Sequence, residues 1–156
     1  MVDGKALKLV NDYKYLGVWI TNDLSWAKQI EENCKKANKK IGMLYRRFYE
    51  FCSTDTLKCL YVAFVRPHLE YAVPVWDPYL IKHSELLEKV QKFALKVCTK
   101  SWNSTYSSLL SQPRLDQRRV QFKLSFLYQL VNNLAFCPHA PIIFHNVSVN
   151  VRNTCI

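Results

Sequence analysis

Residues 24–52, LSWAKQIEENCKKANKKIGMLYRRFYEFC, decide the fold. Apolar side chains recur at Trp26, Ile30, Cys34, Ala37, Ile41, Leu44, Phe48 and Phe51, always three or four residues apart. That spacing draws one stripe along a helix of 3.6 residues per turn and predicts a single long amphipathic helix. Working upstream, residues 5–10 and 13–20 are short, aromatic and β-branched, and Asn11-Asp12 separates them. They predict a β-hairpin, with Gly17 marking a bulge or a close backbone approach inside its second strand. Working downstream, Ser53-Thr54-Asp55 stops the long helix and caps an apolar one over 55–66. Pro67 kinks that helix, and Pro74 and Pro78 end the segment. Ser84 caps a third helix running to about residue 99, with Leu87, Val90, Ala94 and Val97 inward and Leu86 and Phe93 alongside. A short helix at 106–111 and a last one over about 115–134 follow, the latter with Val120, Leu124, Leu127, Val131 and Leu134 on its inner face. The expected class is mainly α: an N-terminal β-hairpin (1–22), a bundle of about four to five helices (23–136) and an irregular tail (137–156).

The 156 residues are of single-domain size, and 49% hydrophobic with 13% aromatic content excludes wholesale disorder. No uninterrupted apolar run of about 18 residues predicts a membrane span. Residues 1–14 carry charges every few positions, so no secretory leader is expected and the reading is cytoplasmic or nuclear. In such a reducing compartment the six cysteines read as free thiols, because no pair has CxxC spacing. Cys34, Cys59 and Cys98 fall on apolar helix faces, where a thiol packs as a small hydrophobe. Cys137, His139 and His145 form the one Cys/His cluster, and it lacks a fourth ligand at zinc spacing. The sequons at Asn103 and Asn146 then read as chance matches.

Lys and Arg number 22 against 12 acids, a net charge of +10 that points toward polyanions. Residues 24–47 hold seven basic and two acidic side chains, 82–100 five and two, and 114–123 four and one. The stretch 48–81 has two against four and reads as a buried, weakly acidic middle. Lys89, Lys92, Lys96 and Lys100 are spaced three, four and four; Lys28, Lys35, Lys39 and Arg46 share a face of the long helix. Cations at helical intervals can neutralise successive phosphates. The alternative is an ordinary solvated face.

Particular blocks then become informative. Tyr13-Lys14-Tyr15-Leu16-Gly17-Val18, followed by Asn22-Asp23-Leu24-Ser25-Trp26, resembles a junction in the reverse transcriptases of non-LTR retrotransposons, the jockey-like class. The similarity continues in order through Cys34-Lys35-Lys36-Ala37, Leu44-Tyr45-Arg46-Arg47-Phe48, Val65-Arg66-Pro67-His68-Leu69-Glu70-Tyr71-Ala72 and Val75-Trp76-Asp77-Pro78. It ends with Leu86-Leu87-Glu88-Lys89-Val90-Gln91-Lys92-Phe93-Ala94, Leu115-Asp116-Gln117-Arg118-Arg119 and Leu127-Tyr128, so it covers about residues 5–140.

The resemblance implies a primer-grip hairpin and thumb, a fragment that lacks the family's fingers and palm. It implies a template–primer RNA/DNA duplex as partner, held without sequence preference, and a missing palm domain as neighbour. Tyr15, Leu16 and Gly17 would be the primer grip; Lys28, Lys35, Lys39, Arg46, Lys89, Lys92, Lys96 and Lys100 would meet phosphates. The family's Mg²⁺ ions belong to palm carboxylates, so no cofactor is expected here: Asp12, Asp23, Asp55 and Asp77 include no Asp-Asp pair. The chain alone is expected to be inactive as a polymerase. An inert remnant, or a helical module reused for protein interaction, is the alternative. Without a palm, the Trp26/Ile30/Cys34 side of the long helix is expected to lie open.

Overall fold

A computed structural model describes residues 9–105, 113–132, 134 and 135. Strand β1 (Asp12–Tyr15) pairs antiparallel with β2 (Val18–Thr21), with Tyr15 opposite Val18. That register leaves only Leu16 and Gly17 for the turn, at φ 45° and 87°. Positive φ at both central positions is what a type I′ hairpin requires, and its twist suits the strands. The turn therefore lies away from the expected Asn11-Asp12. Those two residues sit at the hairpin's open end, where the Asn11 carbonyl accepts from the Asn22 amide at 2.8 Å. Gly17 is a turn residue and not a strand bulge. Val18 fixes this register, because it is buried and a one-residue slip would turn it to solvent.

Helix α1 (Ala27–Phe48) buries Ile30, Ala37, Ile41 and Leu44, with Trp26 and Cys34 packed partly against the same core. The Trp26/Ile30/Cys34 side is thus inside the protein, which corrects the expectation of an open face. The hairpin covers part of it. The Trp19 amide donates to Gln29 Oε1 at 2.9 Å, and Gln29 Nε2 donates to Asn33 Oδ1 at 3.1 Å. These bonds give the Trp19 amide, Gln29 and Asn33 Oδ1 partners inside the fold, while Asn33 Nδ2 is buried without one.

Ser53 caps helix α2 (Thr54–Leu60), its Oγ accepting from the Thr56 amide at 3.2 Å. The chain then widens into one π-helical turn, Tyr61–Val65, before α3 (Arg66–Glu70). Leu57, Tyr61, Val65 and Leu69 are all buried at strict four-residue spacing. An α-helix rotates such residues off a face by about 40° per step, because 3.6 and not four residues make a turn. The wide turn, closed by the Arg66 amide on the Tyr61 carbonyl, returns Val65 and Leu69 to the core side. It also precedes Pro67, which has no amide hydrogen to give and would crowd an α-helical carbonyl four residues back. Pro74 opens a further turn, α4 (Val73–Trp76), and does not end the segment as expected. Trp76 is fully buried at its end.

Helix α5 (Ile81–Thr99) begins three residues before the expected cap, so Ser84 is internal. Leu87, Val90, Ala94 and Val97 face inward as expected, with Gln91, Leu95 and Cys98; Leu86 and Phe93 are exposed. Lys100 closes α5 at φ 55°, its amide and that of Ser101 returning to the Val97 and Lys96 carbonyls.

Helix α6 (Leu115–Val131) departs most from expectation. Only Leu115 and Arg119 are buried, and Val120, Leu124, Leu127, Val131 and Leu134 are 43% to 69% exposed. Buried Leu115 and polar contacts hold its first turns, and its second half carries exposed apolar side chains. The expected helix at 106–111, most of the first expected strand, the tail, and Cys137, His139 and His145 lie outside the described residues.

Candidate nucleic-acid interface

The hairpin turn is anchored from behind. Tyr71 Oη donates to the Leu16 carbonyl at 2.8 Å, and a Cβ on Gly17 would stand 3.4 Å from Tyr71 Cε1. Trp76 Nε1 donates to the Tyr71 carbonyl at 2.6 Å, tying the turn to the core. Tyr15, Leu16 and Gly17 therefore form a fixed tip, with Tyr15 and Leu16 exposed.

On α1 the expected four-residue row divides. Lys28 forms an ion pair with Asp12 and lies 4.0 Å from the Trp19 ring centre. Lys35 is held by Glu31 at 2.9 Å and Glu32 at 3.1 Å, and its ammonium holds the Glu31 carboxyl below its usual range. Lys39 and Arg46 are exposed and form no ion pair among the described residues. Lys36, Lys40 and Arg47 flank them, so this end of α1 carries five cations and no acid. Those three belong to the basic stretch 24–47 but stand outside the expected row. Their i, i+4 and i+11 spacing, with no acid in α1 after Glu32, is the signal in the sequence that marks them. His68 faces this patch from α3: burial, then Lys40 and Lys36, hold its pKa below the ordinary value.

The α5 row divides as well. Lys89 and Lys92 are exposed along a groove shared with Glu85, Glu88, Arg114 and Asp116. Lys96 donates to the Trp102 carbonyl at 2.7 Å, and Lys100 lies 5.3 Å from the Tyr49 ring centre. The last two secure the end of α5 and the loop beyond it. They are not brought together with Lys89 and Lys92 as one open stripe.

The third basic stretch is neutralised internally. Arg118 grips both Glu70 carboxylate oxygens, which raises the guanidinium pKa further. Arg119 reaches Asp77 at 2.9 Å and donates to Ser84 Oγ; Lys123 also meets Asp77, and Arg114 lies 3.2 Å from Asp116. The acids of the 48–81 stretch thus hold α6 in place.

Among the described residues no group of three His, Cys, Asp or Glu comes together, and no helix is long and apolar enough to cross a membrane. Burial pushes the Cys34 thiol up to about 11 and the Cys98 thiol up to about 12. Cys59, expected on an apolar face, is exposed because Leu57 and Tyr61 take the core side and a residue two positions from each points the opposite way. Compared with protein-family models, with curated proteins and with solved structures, the chain matches none.

Proposed function

We propose that this chain binds nucleic-acid duplex through backbone phosphates, in the manner of the primer-grip and thumb portion of a non-LTR retrotransposon reverse transcriptase, with no DNA synthesis of its own. The observation that carries this reading is the patch Lys36, Lys39, Lys40, Arg46 and Arg47 on α1, which forms no ion pair with an acid among the described residues, whereas the stretch 114–123 is neutralised by Glu70, Asp77 and Asp116. These cations release counterions when they meet phosphate and read no base edge, so binding is independent of sequence. The fixed tip at Tyr15, Leu16 and Gly17 gives the strand end a rigid contact.

The test is fluorescence anisotropy with a labelled RNA/DNA duplex over a salt series. Replacing Lys36, Lys39 and Lys40 by Gln should reduce the slope of log K against log salt by about 0.9 for each phosphate that is no longer neutralised. The same change at Lys89 and Lys92 should reduce it less, since Glu85 and Glu88 already share that groove. An unchanged slope in a folded Lys36/Lys39/Lys40 variant removes the reading.

One observation favours the alternative of a protein-interaction module. The exposed residues 120, 124, 127, 131 and 134 of α6 and its end alternate steps of four and three, the spacing of a coiled-coil seam. Leu124→Glu with Leu127→Glu would abolish a complex formed there and leave duplex binding intact.

A further inference from the structure

Where α1 ends, the sequence runs Tyr45-Arg46-Arg47-Phe48-Tyr49-Glu50-Phe51. A pocket of about 230 Å³ opens there, lined by Tyr45, Arg46, Arg47, Tyr49, Glu50 and Phe51. Phe51 is 87% exposed and Tyr45 47%. Large rings so exposed, beside two arginines that form no ion pair among the described residues, are costly in water and suit a flat ligand carrying negative charge.

The rings have different surroundings. Lys100 lies over Tyr49, so that face is already occupied. Tyr49 in turn supports Tyr45, with ring centres 4.7 Å apart and planes inclined at 44°. Tyr45 and Phe51 remain as the two free faces, with Arg46 and Arg47 between them in sequence. Glu50 is the single acid in the pocket, which makes the site electropositive.

We propose that this end of α1 binds unpaired nucleotides, one or two bases stacking on Tyr45 and Phe51 while Arg46 and Arg47 take the adjoining phosphates. A duplex keeps its bases stacked on each other and cannot use these rings, whereas a single strand offers both a π-face and a phosphate at every step. The pocket is smaller than the roughly 300 Å³ at which drug-sized sites begin, in keeping with one planar ring system. The inference rests on the reading that α1 binds nucleic acid. Arg46 and Arg47 belong both to the phosphate patch and to the lining of this pocket, and Tyr45 lies five to nine residues beyond Lys36, Lys39 and Lys40 along α1, within about three helical turns. A protein partner is the competing occupant, and the net positive lining disfavours it for all but acidic surfaces.

The experiment uses the whole chain with two fluorescein-labelled probes, a short oligothymidylate and a duplex of similar charge. Phe51→Leu and Tyr45→Leu keep apolar bulk and remove the stacking face. Each should weaken oligothymidylate binding about five- to hundredfold, the range of one base–aromatic stack, and leave duplex binding within about twofold. Photocrosslinking of an iodouracil-substituted oligonucleotide should map to peptides containing Tyr45 or Phe51. Unchanged single-strand binding in both variants, equal weakening on both probes, or crosslinks confined elsewhere would overturn the proposal. Wild-type protein that binds the duplex but not the single strand overturns it and leaves the duplex reading standing. Binding to neither removes both. Self-association that Phe51→Leu disperses, with no oligonucleotide bound, would assign the rings to a protein contact and overturn it as well.

Discussion

Glu70→Gln is the sharpest test of how α6 is held. The Glu70 side chain is 10% exposed and accepts from Arg118 Nε and, at 3.0 Å, from Arg118 Nη2; Arg66 Nε lies 3.6 Å away. Glutamine keeps the shape and one acceptor but places an NH₂ against a guanidinium and leaves two cations without this acid. Breaking a fully buried pair costs about 3–5 kcal/mol, and an exposed pair is worth about 0–1 kcal/mol. Arg66 and Arg118 retain 17% and 20% of their side-chain exposure, so water screens part of the loss. The expected cost is about 2 kcal/mol, equivalent to a fall in Tm of about 4–8 °C for a chain of this size. Urea and thermal unfolding followed by far-UV circular dichroism measure it. Arg118→Gln in the Glu70→Gln background should then cost far less than it does alone, since the interaction is already gone. A Glu70→Gln variant within about 0.5 kcal/mol of the parent, with additive doubles, would refute the claim that this pair fastens the helix.

At the hairpin tip, Gly17→Ala should destabilise by about 1–2 kcal/mol through its φ of 87° and its contact with Tyr71, while Leu16→Asn should stabilise by about 0.5–1 kcal/mol. Equal unfolding midpoints for the two variants would contradict this. Burial holds Cys34 up to about 11 and Cys98 up to about 12, so the folded chain keeps thiol protons that the unfolded chain loses near 9.0. That contribution is intact below pH 9.0 and fades as pH rises toward those values; Cys34→Ala with Cys98→Ala should flatten the alkaline slope of the urea midpoint. His68 should titrate below 6.5 by NMR, and the stability it contributes above that pH is lost as pH falls. Added duplex, or Lys36→Gln with Lys40→Gln, should move its pKa upward; a pKa indifferent to both would separate His68 from the patch.

The elements that follow from local chemistry were legible. Steps of three and four along 26–44 sufficed for α1, and Ser53 with its free amides sufficed for the α2 cap. The hairpin turn was not legible, because a leucine with positive φ gives no signal and Asn11-Asp12 gives a false one. Its register depends on Val18 entering a core built by later residues. The inner face assigned to α6 failed for a related reason: periodicity identifies an apolar stripe without identifying what covers it. For the interface, spacing placed Lys96 and Lys100 in line with Lys89, but a carbonyl at Trp102 and a ring at Tyr49 draw them away. Such partners lie in other segments, and no helical wheel contains them. The neutralisation of Arg118, Arg119 and Lys123 was half visible in the acidic 48–81 stretch, which lacked only its pairing.

The wide turn at Tyr61–Val65 makes chain length itself a constraint. A π turn holds one residue more than an α turn needs, so removing Ala63 would leave a continuous α-helical path with no gap to close, but with the Pro67 ring against the carbonyl four residues back. Everything after it would be rotated by about 100° relative to Leu57. Leu69 would leave the core and Glu70 would swing away from Arg118, detaching α6 without touching a residue of that helix. Loss of one codon here would therefore do more damage than loss of one in the turn at 49–52, and a length alignment of this segment would be more diagnostic of a working fold than the identity of any side chain in it.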